Sequence, residues 1–300
     1  MAERRLQVFS AVAKHLRFTR AAEALFMTQP AVTFQIRQLE EQHGVRLFER
    51  RHGSILLTSA GELMLDYAQK IIALSDEMDT RLAEITGEMR GPLLVGASTT
   101  IAEFLLPAIL GEFNALYPQV RARLIVANSE KIESQVAEQR LDVGLIETPG
   151  KLAGLASQVC CEDELQVICA PDYPLAQHKT VSPKSLIDYE FISREPGSGT
   201  REITETYFRA HKLEPQNLKT QMELGSPEAL KGVVATGLGF AILSRLAVEA
   251  DVRIGKLVAI PLKPALKRKL YLTYPEDRFR SRLTQTFIDF ARGKLRELAP

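Results

Sequence analysis

A short segment near the start of the chain carries polar side chains at helical spacing, and their chemistry suits contact with nucleic acid. The segment is TRAAEALFMTQPAVTFQIRQL, residues 19–39. Amide, hydroxyl and guanidinium groups can hydrogen-bond to base edges and phosphates in a DNA major groove. Together with a proline at the first helical turn, the candidate contact residues are Thr28, Gln29, Pro30, Thr33, Gln35 and Arg37.

Two apolar-periodic stretches must position these side chains. In the first, Ala21, Ala22 and Leu25 share one helical face, and Phe26 follows Ala22 by one turn. In the second, the apolar residues are Ala31, Val32, Ile36 and Leu39. The pattern predicts a helix, a tight turn around residues 26–28 and a second helix with an outward polar face. An ordinary helical hairpin at the surface is the alternative.

The flanking residues complete a small domain. A further amphipathic helix is predicted over residues 3–16, and Gly44 is a helix stop. Alternation over residues 45–48 and 55–57, with a turn at 52–54, predicts a hairpin that would form a wing. Arg50 and Arg51 at its tip suit phosphate or minor-groove contact, although basic residues on a hairpin are often only solvated.

Several motifs then occur in a fixed order: AAEAL, QPAVTFQIRQLE, GVRLFERR and LLTSAG. This head resembles the DNA-binding domain of LysR-type transcriptional regulators over its first sixty residues. Met27 and Thr33 replace the leucine and serine that are usual there. The resemblance implies that Gln29, Pro30 and Thr33 lie at the groove end of a reading helix, with Gln35 and Arg37 following.

Replacing Arg51 with alanine is expected to weaken binding to all duplex sequences alike, since a phosphate contact carries no sequence information. The slope of log K against log salt should become shallower by about 1. Titrations of DNA at several salt concentrations measure this slope, and an unchanged slope would contradict the phosphate role.

A long helix is predicted next, because no proline interrupts residues 59–89. Its apolar stripe recurs at spacings of three and four and consists of Tyr67, Ile71, Leu74, Met78, Leu82 and Ile85. Such a stripe suits a seam between two helices, although it could instead pack on its own domain. The resembled family uses this helix to dimerise, and Gly91 with Pro92 marks the next boundary.

The remainder alternates short apolar strands with helices, which predicts an α/β body with a mainly parallel sheet. The pattern predicts that the chain crosses between two lobes and returns to the first near residue 266. This body resembles the effector domain of the same family, which is itself similar to periplasmic solute receptors. The expected fold is an α/β multidomain chain with three parts: a winged helix-turn-helix head (1–58), a dimerising linker helix (59–90) and a two-lobed effector domain (91–300), with lobe I about 91–162 and 266–300 and lobe II about 163–265.

Candidate effector contacts lie at predicted helix starts, where free N–H groups favour anions. They are Ser98, Thr99, Thr100, Ser129, Arg194 and Thr200. Arg194 beside the glycine-bearing turn at 197–199 is the strongest of these signals, and Thr100 with Glu103 predicts a capping box. Glu147 could oppose an anion, recognise an amino group or pair with Arg194. Each start could also be a plain capping signal. A small anionic or zwitterionic metabolite is the favoured ligand.

Composition narrows the classes of function. The chain is 45% hydrophobic and 25% charged with a net charge of +1, yet residues 1–60 carry nine basic and five acidic residues, a net +4. A basic head on a mildly acidic body fits a nucleic-acid partner for the head. The sequence contains no recognisable catalytic constellation, metal-ligand spacing or P-loop, so no cofactor, metal or enzymatic activity is expected. It also contains no signal segment or membrane span, so the expected location is the cytoplasm.

The sequence therefore predicts a sequence-specific transcriptional regulator whose oligomer geometry and DNA bending respond to a metabolite between two lobes. The resemblance implies a tetramer and contact with RNA polymerase. The alternative is an architectural DNA binder whose body has lost sensing.

Overall fold

The computed structural model describes residues 2–51, 54–85, 88–276 and 280–298. The chain divides into two compact units, Met1–Glu88 and Met89–Pro300. Within the described residues, no helix is both long enough and apolar enough to cross a membrane.

Three helices, a hairpin and a long helix build the first unit. They are α1 (Ala2–His15), α2 (Phe18–Ala24), α3 (Gln29–His43), β1 (Phe48–Arg51), β2 (Ser54–Leu57) and α4 (Ser59–Ile85). Val8, Phe9 and Val12 of α1 pack with Val32 and Ile36 of α3 in one buried cluster. Helix α3 therefore has its apolar stripe fixed against the core, which leaves its opposite face outward.

The hairpin and the turn differ from the prediction in two places. Strand β1 begins at Phe48 rather than residue 45, because the carboxylate of Glu40 accepts the N–H groups of Leu47 (2.8 Å) and Phe48 (3.4 Å). Phe26 lies beyond the end of α2 with φ of 53° and 98% exposure, so it does not extend the buried stripe of Ala22. A bulky residue in the left-handed region is strained, since its Cβ crowds the backbone.

The first three strands of the second unit, with their helices, belong to one of its two lobes. One lobe contains β3 (Gly91–Ser98), α5 (Thr99–Phe104), α6 (Leu106–Leu116), β4 (Val120–Ala127), α7 (Ser129–Ala137) and β5 (Val143–Ile146). Helices α5 and α6 are separated at Leu105, because Pro107 has no N–H to bond the carbonyl of Glu103. The predicted capping box of Thr100 and Glu103 is wrong, since Ser98 is the N-cap and Thr100 lies inside α5.

The other elements include two strands that are much longer than predicted. In order they are β6 (Leu155–Cys169), β7 (Glu190–Arg194), α8 (Gly199–Ala210), β8 (Lys219–Leu224), α9 (Pro227–Val234), β9 (Ala241–Ser244), α10 (Arg245–Arg253), β10 (Val258–Pro275) and α11 (Arg282–Leu298). Strands β6 and β10 pair along most of their length and run through both lobes.

The main sheet has the strand order β4-β3-β5-β10-β6-β9, and β7 pairs with β8. Strand β3 is parallel to β4 and β5, but β10 is antiparallel to β5 and β6, and β6 to β9. The prediction of a mainly parallel sheet is therefore wrong for this sheet. The two long strands run in opposite directions between the lobes, and so the sheet is mixed at its centre.

The three cysteines are free and buried. Burial raises the pKa of Cys160 to about 12 and those of Cys161 and Cys169 to about 11. All three thiols thus stay protonated near neutral pH and behave as small packing groups.

Candidate functional site

The start of helix α3 is built by its own capping residues. Thr28 is the N-cap, and its hydroxyl accepts the N–H of Ala31 at 3.4 Å. Pro30 occupies the first turn, where its missing N–H costs nothing. Thr28, Gln29 and Pro30 are all exposed, as the outward face of a reading helix requires.

The next candidates on α3 differ in their hydrogen bonds and in their exposure. The Gln29 amide donates to the Thr33 hydroxyl at 3.2 Å, and that hydroxyl donates to the Gln29 carbonyl at 2.9 Å. Gln35 is half-buried, whereas Arg37 is exposed. The Thr33 hydroxyl could therefore donate to a base only by breaking its hydrogen bond to the Gln29 carbonyl.

The wing candidates are described only in part. Arg50 and Arg51 lie in β1, paired with Ile55 and Ser54 of β2, but both side chains lie outside the described residues. The turn predicted at His52 and Gly53 also falls outside them.

Helix α4 presents two different faces. Ala68 is buried in the core of the first unit, with Met64 and Leu65 packed beside it. Each residue of the predicted seam is between 47% and 81% exposed. These residues are Tyr67, Ile71, Leu74, Met78, Leu82 and Ile85. A row of exposed large apolar side chains favours pairing over packing on its own domain.

In the second unit, the carboxylate of Glu147 lies at the end of β5 where the two lobes meet. It is 2% exposed. Its Oε1 accepts the Ser98 hydroxyl at 3.1 Å, and its Oε2 accepts the Thr200 hydroxyl at 2.9 Å. Its backbone N–H donates to the Ser129 hydroxyl at 3.4 Å. Three of the predicted effector residues therefore already surround a carboxylate of the chain itself.

Arg268 of β10 supplies the positive charge in this cluster. Its Nη1 lies 2.8 Å from Glu147 Oε2 and donates to the Thr200 hydroxyl at 2.9 Å. Its Nε donates to Asp163 Oδ2 at 2.8 Å, and Ser244 donates to Asp163 Oδ1 at 2.8 Å. We call the residues Ser98, Glu147, Asp163, Thr200, Ser244 and Arg268 the buried charge network.

Electrostatics keep Glu147 ionised despite its position. Burial by itself raises the pKa of Glu147. The charge of Arg268, the nearby Thr100 hydroxyl, the charge of Arg194 and the Thr200 hydroxyl together outweigh burial, so the net pKa is lowered. Arg268 likewise has a raised pKa, since Glu147 and Asp163 outweigh the cost of burying its charge. The network is thus a fixed arrangement of one cation and two anions.

The lobes touch directly beside the network. A Cβ on Gly199, the first residue of α8, would lie 2.6 Å from the Glu147 Cβ and 2.8 Å from the Ser129 hydroxyl. Only glycine permits this approach. Asn128 adds a bond across the same contact by donating to the Pro196 carbonyl at 3.2 Å.

Arg194 takes a different role from the one predicted for it. Its guanidinium bonds Glu195 at 2.8 and 3.1 Å, so the suggested pairing of Arg194 with Glu147 is wrong; Arg268 holds that position. With Thr200 and Arg201, Arg194 also lines a cavity of about 190 Å³ between α8 and the strands β7 and β8.

Two buried polar atoms at the lobe contact make no hydrogen bond. Thr100 Oγ1 is buried close to the Glu147 carboxylate but outside hydrogen-bonding geometry. Arg268 Nη2 lies 2.7 Å from Asp163 Oδ2, again without hydrogen-bond geometry. With Ser10 Oγ, these are the buried side-chain atoms without a bond among the residues that the structure describes.

Sequence reasoning overlooked Arg268 and Asp163, although a signal was present. Leu266, Leu270 and Leu272 alternate as the buried face of β10, and Arg268 stands in the same phase. In β6, Asp163 stands in the buried phase in the same way. The two residues are direct partners in the strand register. Opposite charges in the buried phases of two strands are a readable sign of an internal ion pair.

Comparison with known proteins agrees with both units. Residues 4–62 match the family model "Bacterial regulatory helix-turn-helix protein, lysR family", and residues 86–296 match "LysR substrate binding domain". The RuBisCO operon transcriptional regulator of Acidithiobacillus ferrooxidans is 35% identical over 95% of this chain and 91% of its own.

Two solved structures show the same folds. The regulatory domain of Synechocystis PCC6803 CcmR in complex with 2-PG is 30% identical, with a TM-score of 0.64 over 70% of this chain and 99% of that one. Full-length CbnR complexed with its target DNA has a TM-score of 0.73 and 21% identity, over 98% of this chain and 100% of that one.

Proposed function

Because the chain belongs to the LysR family of DNA-binding transcriptional regulators, we propose that it senses a small anionic metabolite at the contact between its lobes. We further propose that it controls genes of carbon fixation, which the RuBisCO operon regulator supports by its name and its 35% identity. The expectation of a regulator rather than an enzyme agrees with these relatives.

The observation that carries the effector site is the incomplete buried polar cluster around Glu147. An anionic group that takes the place of the Glu147 carboxylate would meet the donors of Ser98, Thr200 and Arg268, and it would also satisfy Thr100 Oγ1. The starts of α5, α7 and α8 add their N–H groups. The proposed contacts are Ser98, Thr99, Thr100, Ser129, Arg194 and Thr200, to which Arg268 is added.

Exchange of one anion for another explains how binding changes the protein. Glu147 is packed against Gly199 at the start of α8, so its displacement alters the contact that joins the lobes. An effector that binds the altered arrangement better shifts the population toward it. That shift would change the spacing of paired heads and the bend of the DNA.

The DNA contacts proposed for the head are those of α3 and the wing, with α4 pairing two copies through its exposed seam. A tetramer of two such dimers, contact with RNA polymerase and action in the cytoplasm, where the DNA is, complete the proposal. The exposed seam supports the dimer, and the full-length CbnR–DNA complex supports the mode of binding.

Thermal unfolding of the full-length protein with 2-PG tests the effector site. At a hundred times the dissociation constant, a ligand that binds only the folded state stabilises it by about 2.7 kcal/mol, and the melting temperature rises accordingly. Thr100→Val removes a hydroxyl that lies close to Glu147 but makes no hydrogen bond of normal geometry. We therefore expect the variant to keep most of the basal stability and to lose most of the ligand-induced rise.

Thr286→Val is the matched control, since its hydroxyl bonds only the Arg282 carbonyl of α11, away from the site. It should keep the full rise. If the ligand raises the melting temperature of Thr100→Val as much as that of wild type, the effector does not bind at the lobe contact. If neither 2-PG nor other small anions raise the melting temperature, the sensing function itself is wrong.

A further inference from the structure

The outward face of α3 carries an aromatic side chain where polar residues would be expected. Phe34 is 58% exposed. Val32 and Ile36, two residues before and after it, are buried at 0% and 3%. Residues two apart on a helix lie about 200° apart around its axis, so Phe34 lies opposite the stripe that packs into the core. The side chain contributes nothing to the core of the head and is exposed at a cost in solubility.

The neighbours of Phe34 on this face favour nucleic acid as its partner. Pro30 lies one turn before it and Arg37 one turn after it, and both are exposed. Arg37 offers a positive charge beside the ring, and the first sixty residues are net basic. A phenyl ring between a proline and an arginine, on the outward face of a helix in a basic head, suits a groove that combines phosphates with an apolar group.

The major groove offers one such group. Thymine alone among the four bases presents a C5-methyl there, and phenylalanine is one of the side chains that can contact it. Meanwhile the hydroxyl of Thr33, the nearest polar candidate, is engaged with Gln29 inside the helix. We propose that Phe34 determines sequence specificity by contacting the C5-methyl of a thymine in each half-site. This inference rests on the proposed placement of α3 in the major groove.

The experiment compares thymine with deoxyuridine, which lacks only the methyl group. Duplexes bound by the full-length protein are first selected from a random library, and each thymine of the consensus half-site is then replaced in turn. At one position we expect the wild-type dissociation constant to rise about fourfold per half-site, the value of one buried methyl. In Phe34→Ala that ratio should fall to about 1, at a fixed salt concentration.

Phe26→Ala is the matched control, because Phe26 is the other strongly exposed phenylalanine of the head and lies outside α3. It should keep the wild-type ratio at that thymine. A second variant, Phe34→Arg, exchanges the ring for a guanidinium that pairs with guanine, so repeated selection should replace thymine with guanine there.

The possible results separate this inference from the proposed function. If no duplex sequence is selected, DNA recognition itself fails. If a consensus is bound but Phe34→Ala keeps the wild-type discrimination between thymine and deoxyuridine, the role of Phe34 is refuted while DNA binding stands. Loss of affinity in Phe34→Ala without loss of that discrimination also overturns it.

Discussion

Arg268→Met is expected to lower the free energy of unfolding by about 3–5 kcal/mol, because it leaves Glu147 and Asp163 buried without their cation. The side chain of Arg268 is fully buried, so water cannot take over its role. For a domain of this size, such a loss lowers the melting temperature by roughly 10 °C. Denaturant titration of the full-length protein measures the change, followed through the transition of the second unit.

Two further variants show whether charge is the cause. The triple variant Arg268→Met, Glu147→Gln and Asp163→Asn removes both uncompensated anions, and it should regain much of the lost stability. Lys267→Met alters the adjacent, exposed residue of the same strand and should change the unfolding free energy by no more than about 0.5 kcal/mol. Equal instability of the triple variant and Arg268→Met would mean that lost packing, rather than buried charge, is responsible.

The buried charge network also shows why effector recognition is harder to predict than DNA recognition. The DNA-binding head is built from elements that are neighbours in the sequence, such as α2 and α3. The predicted helix stop at Gly44 is confirmed by its φ of 66°. The network instead joins residues of β3, β6, α8, β9 and β10 with Glu147, which directly follows β5. Helix-start signals indicate Ser98 and Thr200, and Glu147 is a candidate for facing them, but no local signal indicates that Arg268 of a distant strand would hold the Glu147 carboxylate there.

Errors in the predicted elements have similar tertiary origins. Residues 45–47 alternate as a strand should, yet the Glu40 carboxylate takes the N–H of Leu47 before the strand begins. The two long strands exceed the short apolar strands expected of this body, because exposed charged residues interrupt the apolar pattern, for example Glu162 in β6 and Lys267 in β10. In contrast, the break at Leu105 has a local cause in Pro107 and could have been read from the sequence.

Leu74→Asp is expected to abolish the dimer and to weaken binding to a two-fold symmetric operator by about 100-fold or more. Leu74 is 64% exposed in the middle of the α4 seam, so in a dimer the new carboxylate would be buried opposite its own copy. Two linked heads bind a paired site about 10²–10⁴ times more tightly than one. Light scattering after size exclusion gives the oligomeric state, and fluorescence anisotropy gives the affinity.

The half-site distinguishes a lost dimer from a damaged head. Leu74 lies outside the core of the first unit, so Leu74→Asp should bind a single half-site as wild type does, and only the gain from pairing should vanish. Gln69→Asp adds the same charge on the opposite, exposed face of α4 and should remain dimeric. A dimeric Leu74→Asp would assign the seam to another partner. A monomer that still binds the full operator tightly would mean that each head recognises its site alone, and symmetry would then play no part in operator choice.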